Sequence, residues 1–100
     1  MAPRVAVDLE KTAEICKRHR IRKLALFGSV LRDDFGPGSD IDILVEFESG
    51  HVPGFFGLHR IERDIAGLFG GRRVDLLTFR SLNPYLKDRI LAEAEVQYAA

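Results

Sequence analysis

The sequence predicts a small α/β domain of the α+β type, a mixed β-sheet with helices packed on it. Short apolar runs of strand length at 24–27, 41–45 and 74–77 alternate with segments whose apolar residues recur at helical spacing. Turn formers separate these segments: Gly28, the Gly36-Pro37-Gly38 stretch and Gly70-Gly71. One hundred residues, 46% of them hydrophobic, supply one modest core and leave no room for a second lobe, so a single domain over 1–100 is expected.

Residues 1–7 read as a short lead-in. Asp8 can cap a helix running to about residue 19, with Leu9, Ala13 and Cys16 as its apolar stripe, widened by Ile15. The helix runs into a basic stretch, Lys17, Arg18, His19, Arg20, Arg22 and Lys23. Favourable charge at a helix C-terminus plus solvation accounts for it, with a positive surface for a triphosphate or a partner as the sharper alternative. Residues 22–27 become continuously apolar, as a strand covered on both faces would.

Gly28 then turns the chain, and Ser29, a good N-cap residue, opens a short helical turn containing Val30 and Leu31. After a loop over 35–39 the chain returns as a strand over 40–47. On it Ile41, Ile43, Val45 and Phe47 line one face, and Asp40, Asp42, Leu44 and Glu46 line the other. The first strand ends where the second begins, so antiparallel pairing sets the Gly28 turn beside the two acids.

A loop over 48–55 carries Gly50, Pro53 and Gly54. Leu58, Ile61, Ile65 and Leu68 then mark a helix that stops at Gly70-Gly71. A third strand over 73–79 follows. A strand, helix, strand succession implies a right-handed crossover and parallel pairing if the two strands are neighbours, which brings Asp75 beside Asp40 and Asp42. Asn83-Pro84 reads as a helix start, with Leu86, Ile90 and Leu91 facing inward, and 96–98 as a short edge strand. One layer of helices over the sheet is expected.

Composition narrows the function. Lysine plus arginine and aspartate plus glutamate both number 15, so net charge is zero and nothing global recommends nucleic acid as a ligand. Cys16 is the only cysteine, which excludes an internal disulfide and fits a buried thiol in a reducing compartment. No apolar run approaches the roughly 18 residues of a membrane helix, and the first residues lack a secretory apolar core, so a cytoplasmic location is expected. His19, His51 and His59 lack metal-ligand spacing.

The chemistry concentrates in residues 28–45. A backbone turn at Gly28-Ser29 presents N–H groups suited to an anion. Asp40 and Asp42 share a strand face with Cα atoms about 6.6 Å apart, close enough for one to protonate unless a cation holds both. All-oxygen ligands beside a phosphate cradle favour Mg²⁺ or Mn²⁺. Aspartates at the start of a strand are also ordinary turn residues. It is their combination with Gly28-Ser29 and Asp75 that points to a metal-nucleotide site. Gly28-Ser29 is no P-loop, since the Gly-Lys-Ser/Thr sequence is absent.

Gly28-Ser29, ten intervening residues and Asp40-x-Asp42 resemble the nucleotidyltransferase superfamily that includes DNA polymerase beta. At this length the chain is similar to the minimal nucleotidyltransferases (MNT), the antitoxin partners of HEPN toxins. Segments 74–78 and Leu82-Asn83-Pro84 fit the family's order. The resemblance implies a nucleotidyltransferase fold and transfer of a nucleoside monophosphate, AMP from ATP, to a hydroxyl of a partner protein, a tyrosine of a HEPN ribonuclease toxin. It implies that Asp40 and Asp42 hold two divalent ions about 3.5 to 4 Å apart, Mg²⁺ or Mn²⁺. Asp75 would complete the ion nearer the acceptor and serve as general base. Gly28 and Ser29 would hold the β- and γ-phosphates, and Arg32 would orient the loop or offset phosphate charge. Relatives often place glycine after that arginine; here Asp33 follows, and pairing of Arg32 with Asp33 or Asp34 is the alternative.

Arg72 and Arg73, just before Asp75, read by default as cations at a helix end, with reach to a triphosphate as the alternative. Two further functions stay open: a non-catalytic antitoxin acting by occlusion, and a subunit of an aminoglycoside-type adenylyltransferase, which zero net charge favours little.

Overall fold

The computed structural model describes residues 5–100. Four strands form one sheet in the order β3-β2-β1-β4, and three helices pack on it. The strands are β1 (Ile21–Phe27), β2 (Ile41–Phe47), β3 (Val74–Thr78) and β4 (Glu95–Ala99), and the helices are α1 (Leu9–Arg18), α2 (Phe55–Gly67) and α3 (Lys87–Glu93). β2 pairs antiparallel with β1 and parallel with β3, while β4 runs antiparallel along the other side of β1. The sheet is therefore mixed, and the parallel pair is the one joined by a helical crossover. Of the predicted lead-in, residues 1–4 lie outside the described residues, and Val5 and Val7 pack against the core.

α1 begins as the sequence predicts. The Asp8 carboxylate accepts the Lys11 backbone N–H at 3.1 Å and satisfies an amide that the first turn leaves without a helical partner. Its buried stripe differs from expectation: Thr12 and Cys16 are buried, whereas Leu9 is 58% exposed. Thr12 is tolerated there because its hydroxyl donates to the Asp8 carbonyl at 2.7 Å. The following basic run is taken up locally. His19 meets the Asp64 carboxylate of α2 at 2.7 Å, Arg20 lies 3.6 Å from Glu48, and Arg22 pairs with Glu46.

The main core lies on one face of the sheet. Ile21, Leu24 and Leu26 of β1, Ile41, Ile43 and Val45 of β2, and Leu76 of β3 meet Cys16 from α1 and Ile61, Ile65 and Phe69 from α2 and the turn after it. α2 ends at Gly67, and the chain turns through Gly70 and Gly71, both at positive φ, before β3.

The expectation of a single helical layer fails on the opposite face. There Phe27, Leu44 and Leu82 form a second cluster with Leu77, Ile90 and Ala94, so the C-terminal segment covers the face that carries Asp42. α3 starts at Lys87, three residues later than Asn83-Pro84 implies. Asn83 instead closes a turn: its Oδ1 accepts the Tyr85 N–H and its carbonyl accepts the Leu86 N–H, each at 2.9 Å. Ile90 points inward as expected, but Leu86 and Leu91 are 46% and 39% exposed, because this seven-residue helix shields only part of the sheet. Among the described residues no helix is long and apolar enough to cross a membrane.

Two outcomes test this packing. Ile43→Ala, which empties a fully buried position on a central strand, should cost about 2–5 kcal/mol in chemical denaturation. Burial pushes the Cys16 thiol up to about 12, so the thiol stays protonated at pH 8. Cys16 should resist a disulfide reagent in native protein and react at once in denaturant.

Candidate functional site

The register of the sheet assembles the site. Asp42, second residue of β2, stands opposite Asp75 of β3 on one side and opposite Phe27, the last residue of β1, on the other. Asp40 precedes β2 by one residue and shares the Asp42 face by strand alternation. The three acids expected to converge thus gather at one end of the sheet, from two parallel strands that begin there. Asp40 and Asp42 are half-buried and Asp75 is exposed.

Gly28 closes the site on the β1 side. It has φ +76°, and a Cβ placed there would lie 2.2 Å from Oδ2 of Asp42 and 3.1 Å from its Cγ. The carboxylate therefore rests against the glycine backbone, an approach that no side chain permits. After Gly28 the chain forms a 3₁₀ turn over Gly28–Leu31 that buries Val30 and Leu31 in the core. Ser29 lies inside this turn and does not cap it, contrary to the sequence reading, because Phe27 holds the cap position. The Ser29 hydroxyl faces the Asp40 carbonyl at 3.4 Å, tying the turn to the acid strand.

The electrostatics follow from this gathering. Burial first, then the nearby charges of Asp75 and Asp40, push the Asp42 carboxyl above the ordinary aspartate range, and the Arg32 guanidinium pulls the other way. Arg32 has two neighbours, since its Nε lies 3.8 Å from Asp34 while the side chain lines a groove beside Asp42. Mutually repelling carboxylates at an accessible sheet end are the donor chemistry of a hard divalent cation, which takes one or two carboxylates and fills its other positions with water and phosphate oxygens. Among the described residues no group of three or more acid, histidine or cysteine side chains stands close enough as placed to hold a metal ion, so an ion here would need further oxygens from water and phosphate.

The groove beside Asp42 has a volume of about 240 Å³. Phe27, Gly28, Arg32 and Asp42 form one side, and Leu86, Arg89, Ile90 and Glu93 of the C-terminal segment form the other. Sequence reasoning missed Arg89 and Glu93. The 86, 89, 90, 93 spacing of one helix face was available in the sequence, but Leu86 and Ile90 read only as core.

Arg72 is the second surprise. Expected as a cation at a helix end, it reaches across to the 35–39 loop, where its Nη2 donates to the carbonyls of Gly36 at 2.6 Å and Ser39 at 3.0 Å. Arg73 has an exposed side chain, and its backbone carbonyl accepts the Ile41 N–H at 3.0 Å.

Comparison with known proteins agrees with this geometry. A candidate protein adenylyltransferase of Methanocaldococcus jannaschii is 40% identical over 84 residues, covering 84% of this chain and 87% of that protein. The protein adenylyltransferase MntA of Thermococcus cleftensis is 34% identical over 80 residues, 80% of this chain and 78% of its own. A solved structure of a candidate minimal nucleotidyltransferase superposes with a TM-score of 0.70 at 36% identity, covering 86% of this chain and 85% of that one. A complex of a tri-AMPylated Shewanella oneidensis HEPN toxin with an MNT antitoxin contains a chain of the same fold, with a TM-score of 0.64 at 18% identity, covering 92% of this chain and 70% of that one. Residues 9–96 match the sequence profile of the nucleotidyltransferase domain, and the chain belongs to that family.

Proposed function

We propose that this protein is a Mg²⁺-dependent (or Mn²⁺-dependent) protein adenylyltransferase that moves AMP from ATP to a tyrosine hydroxyl of a HEPN-type toxin and thereby acts as its antitoxin. The observation that carries the proposal is the seating of Asp42 between Asp75 and the Gly28 backbone, which puts carboxylates and the Gly28 turn at one sheet end. The adenylyltransferase names of the archaeal relatives support AMP as the transferred group. The fold shared with the MNT antitoxin complex supports the partner.

In this reading Asp40, Asp42 and Asp75 hold the divalent ions, which when bound neutralise charge on the attacking and leaving oxygens. Gly28 and Ser29 offer backbone N–H groups to the β- and γ-phosphates, and Arg32 balances phosphate charge from the groove wall. The acceptor oxygen attacks the α-phosphorus in line as the bond from that phosphorus to the α–β bridging oxygen breaks, so pyrophosphate departs with that oxygen. Asp75, the most exposed of the three acids, receives the hydroxyl proton. Zero net charge leaves the attraction for nucleotide to this local cluster.

The deciding experiment incubates the protein with α-labelled ATP, Mg²⁺ and the product of any adjacent reading frame. Label should enter the partner with wild type, disappear on chelation, and fall at least about 100-fold with Asp42→Asn. Partner inhibition that survives Asp42→Asn without label would refute transfer and mark occlusion instead.

Gly28→Ala should lower stability by about 1–2 kcal/mol from its left-handed backbone alone, with a further loss from the clash at Asp42, and should abolish transfer. Asp42 also makes a pH prediction. Because its carboxyl is raised in the fold, the folded state holds more proton than the unfolded chain. Metal-free stability should then fall as pH rises from the ordinary aspartate range through the raised value. Asp42→Asn should melt above wild type at pH 7 without metal, and the gap should close in acid. Added Mg²⁺ with ATP should stabilise wild type alone.

A further inference from the structure

We propose that Arg72 is a positioning residue of the transferase site, a latch that fixes the 35–39 loop so that Asp40 meets the ion site in register with Asp42 and Asp75. The proposal rests on the transferase reading for what the latch serves, and on geometry alone for the latch itself.

The loop needs such a tie. It contains Gly36, Pro37 and Gly38, and its internal bonds close only a four-residue turn: Ser39 N–H to the Gly36 carbonyl at 3.0 Å, and Gly36 N–H to the Ser39 hydroxyl at 3.0 Å. Glycine gives the segment many alternative conformations, and Asp40 begins where the turn ends. Phe35 at the loop's start packs against the core and donates its N–H to the Arg32 carbonyl at 3.3 Å, and Arg72 supplies the restraint on the rest of the loop. Its guanidinium carbon sits 4.3 Å from the centre of the Phe35 ring, and one Nη2 holds the carbonyls at both ends of the turn. The loop is thus gripped at Phe35, Gly36 and Ser39 by a single side chain.

The position of Arg72 in the chain gives the latch its consequence. It stands two residues before β3 and three before Asp75, while the loop it grips ends directly before Asp40. Beside it the Ile41 N–H donates to the Arg73 carbonyl, so the starts of β2 and β3 are joined by one backbone bond and one side-chain clamp. Asp40 lies just outside the strand ladder and is held by the clamp together with a long Ser29 hydroxyl contact at 3.4 Å; Asp42 and Asp75 are inside the ladder and do not need the clamp. Nε of Arg72 is buried with no hydrogen-bond partner among the described residues, a cost that a residue serving only solubility would not carry. A lysine could reach a carbonyl but has no planar face to lay on Phe35.

The test uses the whole protein with Arg72→Ala, Arg72→Lys and, as a control for simple loss of a nearby cation, Arg73→Ala. Hydrogen exchange of the Gly36, Gly38, Ser39 and Asp40 amides is read without ligand, and binding of Mn²⁺ with AMP-PNP is read by the electron-spin resonance of free Mn²⁺. Arg72→Ala should speed loop exchange about tenfold while β1 amides stay protected, and should weaken Mn²⁺ binding about 10- to 100-fold. Arg72→Lys should fall between it and wild type, and Arg73→Ala should match wild type in both readouts. Unchanged loop exchange in Arg72→Ala, or an equal effect from Arg73→Ala, overturns the proposal. If Arg72→Ala does not fold, Arg72→Lys decides: loop opening under a protected core upholds the latch, and loss of core protection refutes it. Wild-type protein that binds no Mn²⁺ with AMP-PNP would sink the transferase reading, while the exchange comparison would still judge the latch.

Discussion

The contact between the Asp42 carboxylate and the Gly28 backbone is the constraint around which the site end of the molecule is arranged. It requires β1 to end in register with the start of β2, it requires a residue without a Cβ at a positive φ, and it holds a charged group half out of water. Asp75 across the parallel ladder and Asp40 two residues back add repulsion to that burial. A sheet end selected for stability alone would not gather three acids in this way.

What offsets this local cost is an ordinary core on the far face. β1 and β2 are the two central strands and carry the most completely buried side chains, Leu24 and Leu26 opposite Val45 and Ile43, with α1 and α2 closing over them. The buried side chains of the 3₁₀ turn, Val30 and Leu31, anchor the segment immediately after Gly28 in that same core. The acids' face is covered only in part. Ile90 of the short α3 and Ala94 just after it pack, partly buried, against the Phe27 and Leu44 cluster, and leave a groove beside Asp42 with Arg32 on one wall and Arg89 on the other. One side of the sheet holds the fold together, and the other holds the candidate site open.

Much of this was legible in the sequence. Apolar alternation placed all four strands and the first two helices to within a few residues, since period-2 and period-3.6 patterns reflect which side chains a sheet or helix can bury. The meeting of Asp42 with Asp75 and of Asp42 with the Gly28 turn followed from connectivity: a tight return gives antiparallel pairing, and a helical crossover gives parallel pairing. Patterning was weaker where short-range chemistry competes. Thr12 took a core position through a backbone hydrogen bond that periodicity does not register, and the Asn83 side chain closed a turn where proline at the next position had implied a helix.

By itself, then, the sequence determined the mixed sheet and the meeting of the acids with their glycine turn, which follow from residue order and local spacing, and it carried the motif whose resemblance points to the family. Only the tertiary structure decided what covers the acids' face and what steadies the loop before Asp40. Arg89 and Arg72 are distant in the chain from the residues they approach, and on an exposed helix or at a helix end a lone arginine carries no signal of where it will reach. Its destination depends on how the elements pack, and that packing is a property of the assembled sheet rather than of any one segment.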